Sequence, residues 1–158
     1  MWFFMILCYF LSVLTLLTLL ITGLQGYFHF MILNANHPTF ALLTCILYLF
    51  TQTLVIFYFV GIGVSIRDFV QENKLSQDFL KRSFRIKMQM YPPLLLNMGI
   101  VMVLFITGGA VDTGHLPGSV HGLLYCVALT HFLFVIKLEH DAFRDSTNIV
   151  LEMSGIKR

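Results

Sequence analysis

The stretch that decides the fold is TFALLTCILYLFTQTLVIFYFVGIGVSI, residues 39–66, which runs without one charged side chain. A bilayer core of about 30 Å is crossed by roughly 20 apolar residues in a helix, so this run is long enough to span it with residues to spare. Asn36-His37-Pro38 precedes it, and proline suits the first turn of a helix. Three further stretches qualify on either side. Residues 2–22 form the first, ending near Gly23 and Gly26. Residues 93–109, which begin at Pro92-Pro93 and stop at Gly108-Gly109, form the third and shortest. Residues 119–138 form the fourth.

Composition supports lipid contact. Hydrophobic residues make up 58% of the 158, charged residues 11%, and the mean hydropathy is +0.83. A water-soluble domain carries about 25% charged residues to cover its surface. The expected fold is therefore an all-α integral membrane protein, a single four-helix transmembrane bundle over residues 1–158. The N-terminal run has no basic leader, is too long for a signal-peptide core and lacks a small-x-small cleavage site, so it is expected to remain as the first span.

Charge sets the expected orientation. All ten Lys and Arg lie between Arg67 and Lys87 or between Lys137 and Arg158. Segments that stay cytoplasmic are enriched in Lys and Arg. The 67–91 loop and the 139–158 tail are thus expected inside, with both termini cytoplasmic and the 23–38 and 110–118 loops outside. A bacterial cytoplasmic (inner) membrane suits this rule. Residues 66–72 contain no helix breaker, so the second helix is expected to project into the cytoplasm, and the fourth likewise, because Phe143, Ile149, Val150 and Met153 recur at near-helical spacing. Residues 75–90 interleave Leu75, Phe79, Leu80, Phe84, Ile86 and Met88 with Lys and Arg. Such a basic amphipathic stretch lies on anionic head groups across the 74–90 segment, serves as a docking platform, or packs on itself as a solvated hairpin.

Polar side chains inside hydrocarbon are costly and are candidates for function. Gln52, between Thr51 and Thr53, is mid-depth in the second span; His131, beside Thr130, is just past the middle of the fourth. The two can hydrogen-bond if their helices are neighbours, either as interhelical glue or as part of a haem, quinone or proton-handling site. A quinone carbonyl needs a donor of this kind. Lys137 can snorkel to the head groups, and neither it nor Glu139, at the inner end of the fourth span, calls for a special role.

Four of the six histidines, His29, His37, His115 and His121, fall on the expected outer side. Imidazole binds transition metals and haem iron. His37 opens the second span and His121 the fourth, so they share a depth and are the pair expected to ligate one haem b. His121 and His131 cannot share a haem, since ten helical residues separate them by about 15 Å. His29, His115, His121 and Asp112 are the alternative, a surface metal set with N/O ligands. Interfacial histidines without any ligand are the plain reading of the same pattern.

Other classes are weighed by what the chain lacks. Cys8, Cys45 and Cys126 form no Cys-x-x-Cys pair, which argues against a dithiol oxidase or a disulfide framework. A small drug/proton exchanger wants a carboxylate in a span, and residues 2–22, 39–66, 93–109 and 119–138 contain none. No filter sequence or charged ring marks a channel. Gly61 and Ser65 form a small-xxx-small pair for helix contact. The sixteen Phe, six Tyr and one Trp suit walls that face lipid or other subunits. The expected function is a small subunit of a larger membrane complex, with other membrane subunits and lipid as partners and no nucleic acid. Its most specific version is an electron-transfer subunit with haem b, another His-bound metal or a quinone. A purely structural anchor without cofactor and, last, a transporter or channel are the alternatives. A non-catalytic or electron-carrying role is expected ahead of a stand-alone enzyme.

Overall fold

The computed structural model describes residues 2–32 and 34–155, and these form four helices: α1 (Trp2–Phe28), α2 (His37–Glu72), α3 (Asp78–Asp112) and α4 (Gly118–Met153). Each is long and apolar enough to cross a membrane. At about 1.5 Å per residue, α2 and α4, of 36 residues each, run well past a hydrocarbon core of about 30 Å.

Local chemistry explains where the helices stop. Asn36 caps α2: its side-chain oxygen accepts from the Thr39 backbone N–H at 3.2 Å and from the Thr39 hydroxyl at 2.7 Å, with Pro38 in the first turn. Two Schellman turns end α2 and α3. At the first, Lys74 takes φ 51° and the Leu75 N–H reaches the Val70 carbonyl at 3.0 Å. At the second, Gly114 takes φ 75° and the His115 N–H reaches Ala110 at 2.8 Å. Glycine suits the second position because a left-handed φ costs it nothing.

The 67–91 connection is helical except for residues 73–77: α2 continues to Glu72, as the lack of a breaker led one to expect, and Pro92-Pro93 lies inside α3 instead of opening it. The prolines free the carbonyls of Met88 and Gln89, both exposed, so the missing bonds fall where other partners can reach. Leu75, Phe79, Leu80 and Ile86 pack on the core, leaving Phe84 and Met88 outward. The amphipathic stretch is mostly a hairpin folded on its own bundle.

Neighbouring helices run antiparallel. Thr15 and Thr22 of α1 meet Thr51 and Thr44 of α2; Tyr48 of α2 meets Asn97 of α3; Arg82 of α3 meets Glu152 of α4; Met5 of α1 lies against Thr147 of α4. One end of the bundle therefore carries Trp2, the 73–77 turn and the end of α4. The other carries the 29–36 and 113–117 connections. Two apolar clusters fill the interior, one around Tyr58, Phe59, Ile66 and Phe143, the other around Leu19, Tyr48, Val101 and Phe132. Many large apolar side chains outside them, among them Phe10, Phe50, Phe57 and Ile106, face outward, as lipid requires.

A histidine pair and a buried carboxyl

His37 is the first residue of α2 and His121 sits one turn into α4. The helices bring their rings together, with centroids 6.3 Å apart and planes at 77°. Both rings are half-buried. His37 Nδ1 is 3.1 Å from the Thr22 carbonyl oxygen, and His121 Nδ1 is 3.3 Å from the Thr107 hydroxyl. The carbonyl can only accept, so His37 Nδ1 carries the proton in that bond and its Nε2 is left as a lone-pair donor.

Glycines make room for this layer. A Cβ on Gly26 of α1 would stand 3.0 Å from His37 Cε1, and one on Gly108 of α3 would stand 3.1 Å from His121 Cε1. Tyr125 of α4 crosses to α1, its hydroxyl donating to the Leu19 carbonyl at 3.1 Å. Its ring occupies the space a Cβ on Gly23 would need, 2.3 Å away. All four helices thus contribute to one compact layer at the end that carries the 29–36 and 113–117 connections.

The spacing of the two ring centres is that of a pair of imidazoles sharing one metal ion. Ligating imidazoles tie their second nitrogen to a carbonyl or similar acceptor, which fixes tautomer and ring direction. Two imidazoles on opposite sides of one ion, each bound at about 2 Å, hold their ring centres roughly 6 Å apart. The remaining candidates are placed differently. His29 (φ 55°) and His115 are exposed, the latter with Nδ1 2.9 Å from the Thr113 hydroxyl, and Asp112 is exposed on the last turn of α3. Among the described residues no three His, Cys, Asp or Glu side chains come together as a metal site, so His29, His115, His121 and Asp112 are not assembled into one.

Gln52 and His131 do not hydrogen-bond to each other. His131 packs edge-on to Phe134 with its Nδ1 buried and unpartnered, and both amide atoms of Gln52 are buried without a partner. Gln52 turns instead towards Glu139, without a well-formed bond to it. Glu139 is 2% exposed; one carboxyl oxygen lies 3.4 Å from the Ser12 hydroxyl and the other has no partner.

Glu139, one residue past the expected end of the fourth span at 138, is therefore packed among the helices and does not stand free at the inner end. Ser12 is ten residues into α1, about 15 Å along the axis from Trp2, so its partner Glu139 is deep inside the helix packing. The signal was present in spacing. Ala128, Phe132, Val135, Ala142, Ser146 and Ile149 are buried along α4 at alternating steps of three and four, and Glu139 occupies the position that completes the stripe.

Other polar groups line the seams between the helices. Thr15 and Thr51 bond at 2.9 Å, as do Thr22 and Thr44. Tyr48 donates to Asn97 at 2.6 Å, and Asn97 donates to the Ala128 carbonyl at 3.2 Å. No family model matches the chain, and no curated protein or solved structure is similar enough to count as a relative.

Proposed function

We propose that the chain is an electron-transfer subunit of a membrane complex, holding haem b between His37 and His121. The observation that carries this reading is the pair itself: two half-buried imidazoles from different helices, 6.3 Å apart, each with Nδ1 engaged and a glycine on the adjoining helix leaving room for its ring. Held there by His37 and His121, haem would supply one-electron transfer, tuned by the hydrogen bonds of those two imidazoles. The Thr22 carbonyl and Thr107 hydroxyl would be those tuning partners.

The orientation that goes with this reading puts both termini and the 73–77 turn in the cytoplasm, by the distribution of Lys and Arg, and the histidine pair near the outer face of a bacterial inner membrane. Exposed Phe84 and Met88 beside Arg85 and Lys81 supply a face for anionic head groups or a neighbouring subunit. No catalytic role is needed for such a subunit.

A reduced-minus-oxidised absorption spectrum of the purified protein tests the reading. The expected result is a b-type α band that is lost in His37→Ala and in His121→Ala while both variants remain inserted and monodisperse. A spectrum without that band, together with metal analysis finding no stoichiometric metal, overturns it. A band-free protein that holds stoichiometric metal at the same two histidines replaces haem by a bare ion. The subunit reading fails if gentle extraction yields only a stable monomer with no partner.

A further inference from the structure

Among the described residues Glu139 is the one buried carboxyl, and no salt bridge supplies it with a counter-charge. Glu139 is 2% exposed and Gln52 fully buried, and between them three polar atoms, one carboxyl oxygen and both amide atoms, have no partner. Leaving such atoms unpaired in a low-dielectric interior is costly, and more so for a charge. Their unused hydrogen-bonding capacity lies together on facing helices, α2 and α4.

The neighbours say what it can take up. Cys8 and Tyr9 of α1 and Tyr48 of α2 are the titratable groups near enough to feel the carboxyl's charge. All three are neutral or acidic. On α4 itself, Lys137 and His140 are exposed, and Asp141 pairs with Arg144 at 3.2 Å. Among the described residues no α3 side chain meets the carboxyl with charge, and no Lys or Arg is paired with it. A carboxyl in such surroundings takes a proton in place of an ion pair.

A route to water adjoins it. Tyr9, one helical turn before Ser12 on α1, has its hydroxyl 2.9 Å from Nδ1 of the exposed His140, the residue that follows Glu139. The Tyr9 ring lies against the buried Phe143, centroids 5.0 Å apart.

We propose that Glu139, with Ser12 and Gln52, is a proton-binding site inside the bundle, exchanging with water through Tyr9 and His140. On loading, an O–H bond forms at the carboxyl oxygen that has no protein partner, and the Gln52 amide oxygen accepts from it. As that bond forms the Tyr9 O–H breaks, the Nδ1–H of His140 passes to the Tyr9 oxygen to re-form it, and His140 takes a replacement proton from bulk water. Unloading reverses each step, with no net change at Tyr9 or His140. The site is independent of haem and lies on the opposite side of the Thr15–Thr51 pair from His37.

Infrared difference spectroscopy of the full-length protein in lipid nanodiscs tests this. At neutral pH the wild type should show the C=O band of a protonated carboxylic acid, absent from Glu139→Gln, and transfer to D2O should shift it. A double variant, Tyr9→Phe with His140→Ala, should keep the band but slow its deuterium shift about tenfold. No protonated-carboxyl band, a band that survives in Glu139→Gln, or an unchanged exchange rate in the double variant each overturns the proposal. Should Glu139→Gln fail to fold, Ser12→Ala decides: a shifted band supports the site, an unshifted one overturns it. The measurement is repeated on His37→Ala, where the band persists whether or not haem is present, so failure of the haem reading leaves this result unaffected.

Discussion

Gly23 shows how closely the side chains at the histidine end depend on one another. Its missing Cβ is the space that the Tyr125 ring fills, 2.3 Å from where the carbon would be. Gly23→Ala should push Tyr125 off the Leu19 carbonyl and cost about 1–3 kcal/mol, the usual result of overpacking, read as an earlier midpoint in detergent denaturation. Gly61→Ala, with nothing within 4 Å of the new carbon, is the control and should be neutral or slightly stabilising. Tyr48→Phe isolates a second kind of dependence. It removes the 2.6 Å bond to Asn97 and leaves a buried amide oxygen unpaired, so about 1–3 kcal/mol should be lost with no change of shape. At this scale the sequence was legible for His37 and His121, because each opens a span and equal depth follows from that alone. It misled for Gln52 and His131. Similar depth says nothing about which way two side chains point around their helices, and Gln52 turns to Glu139 instead. Glu139 itself was passed over because a hydropathy window ends a span where the charges begin, whereas α4 continues to pack its core-facing stripe for another ten residues.

The helices were legible because four apolar runs of this length have no stable soluble alternative, but their ends and pairing needed more. Pro92-Pro93 reads locally as a helix start, and α3 carries on through it, since packing of Ser83 and Met90 on the N-terminal side holds the helix together. The α1–α2 seam was written in the sequence as a seven-residue repeat on both strands of chain: Cys8, Thr15 and Thr22 on α1, and His37, Thr44, Thr51 and Tyr58 on α2. Seven residues are two turns, so each series lies on one side of its helix. Antiparallel packing then sets Thr15 against Thr51 and Thr22 against Thr44. Hydroxyl pairs of this kind hold membrane helices at about 0.6–2 kcal/mol each. A double-mutant cycle of Thr15→Val with Thr51→Val should give a coupling of that size, and one of Thr15→Val with Thr44→Val, which are not partners, should give almost none. Equal couplings in the two cycles would mean that the seam is held by apolar packing alone.

Across the whole molecule, charge is gathered at the end where Trp2, the 73–77 turn and the tail of α4 meet, while the other end has histidines and almost no formal charge. One ion pair ties the charged end together. Arg82 holds Glu152 through two bonds, of 2.5 and 3.0 Å, joining the start of α3 to the last turn of α4. The Arg82 guanidinium keeps the Glu152 carboxyl below the usual glutamate range, and Arg82 is raised in return. A depressed carboxylate contributes stability above its unfolded value, about pH 4.3 for glutamate, and loses that contribution as pH falls through its folded value. Both side chains are exposed, so salt screens the pair and the effect is small. Acid titration of unfolding should therefore show a shallow loss of stability below pH 4 that flattens in Glu152→Gln and in high salt. The same asymmetry of charge sets the proposed side of the membrane, and impermeant maleimide labelling of intact cells checks it. Asn34→Cys, in the connection beside the histidine pair, should label from outside, while Ser76→Cys, in the turn beside Lys74 and Lys81, should label only after lysis. The reverse pattern would put the histidine pair on the cytoplasmic side. Labelling of both before lysis would mean that α2 does not cross the bilayer, because only the length of that helix separates the two positions.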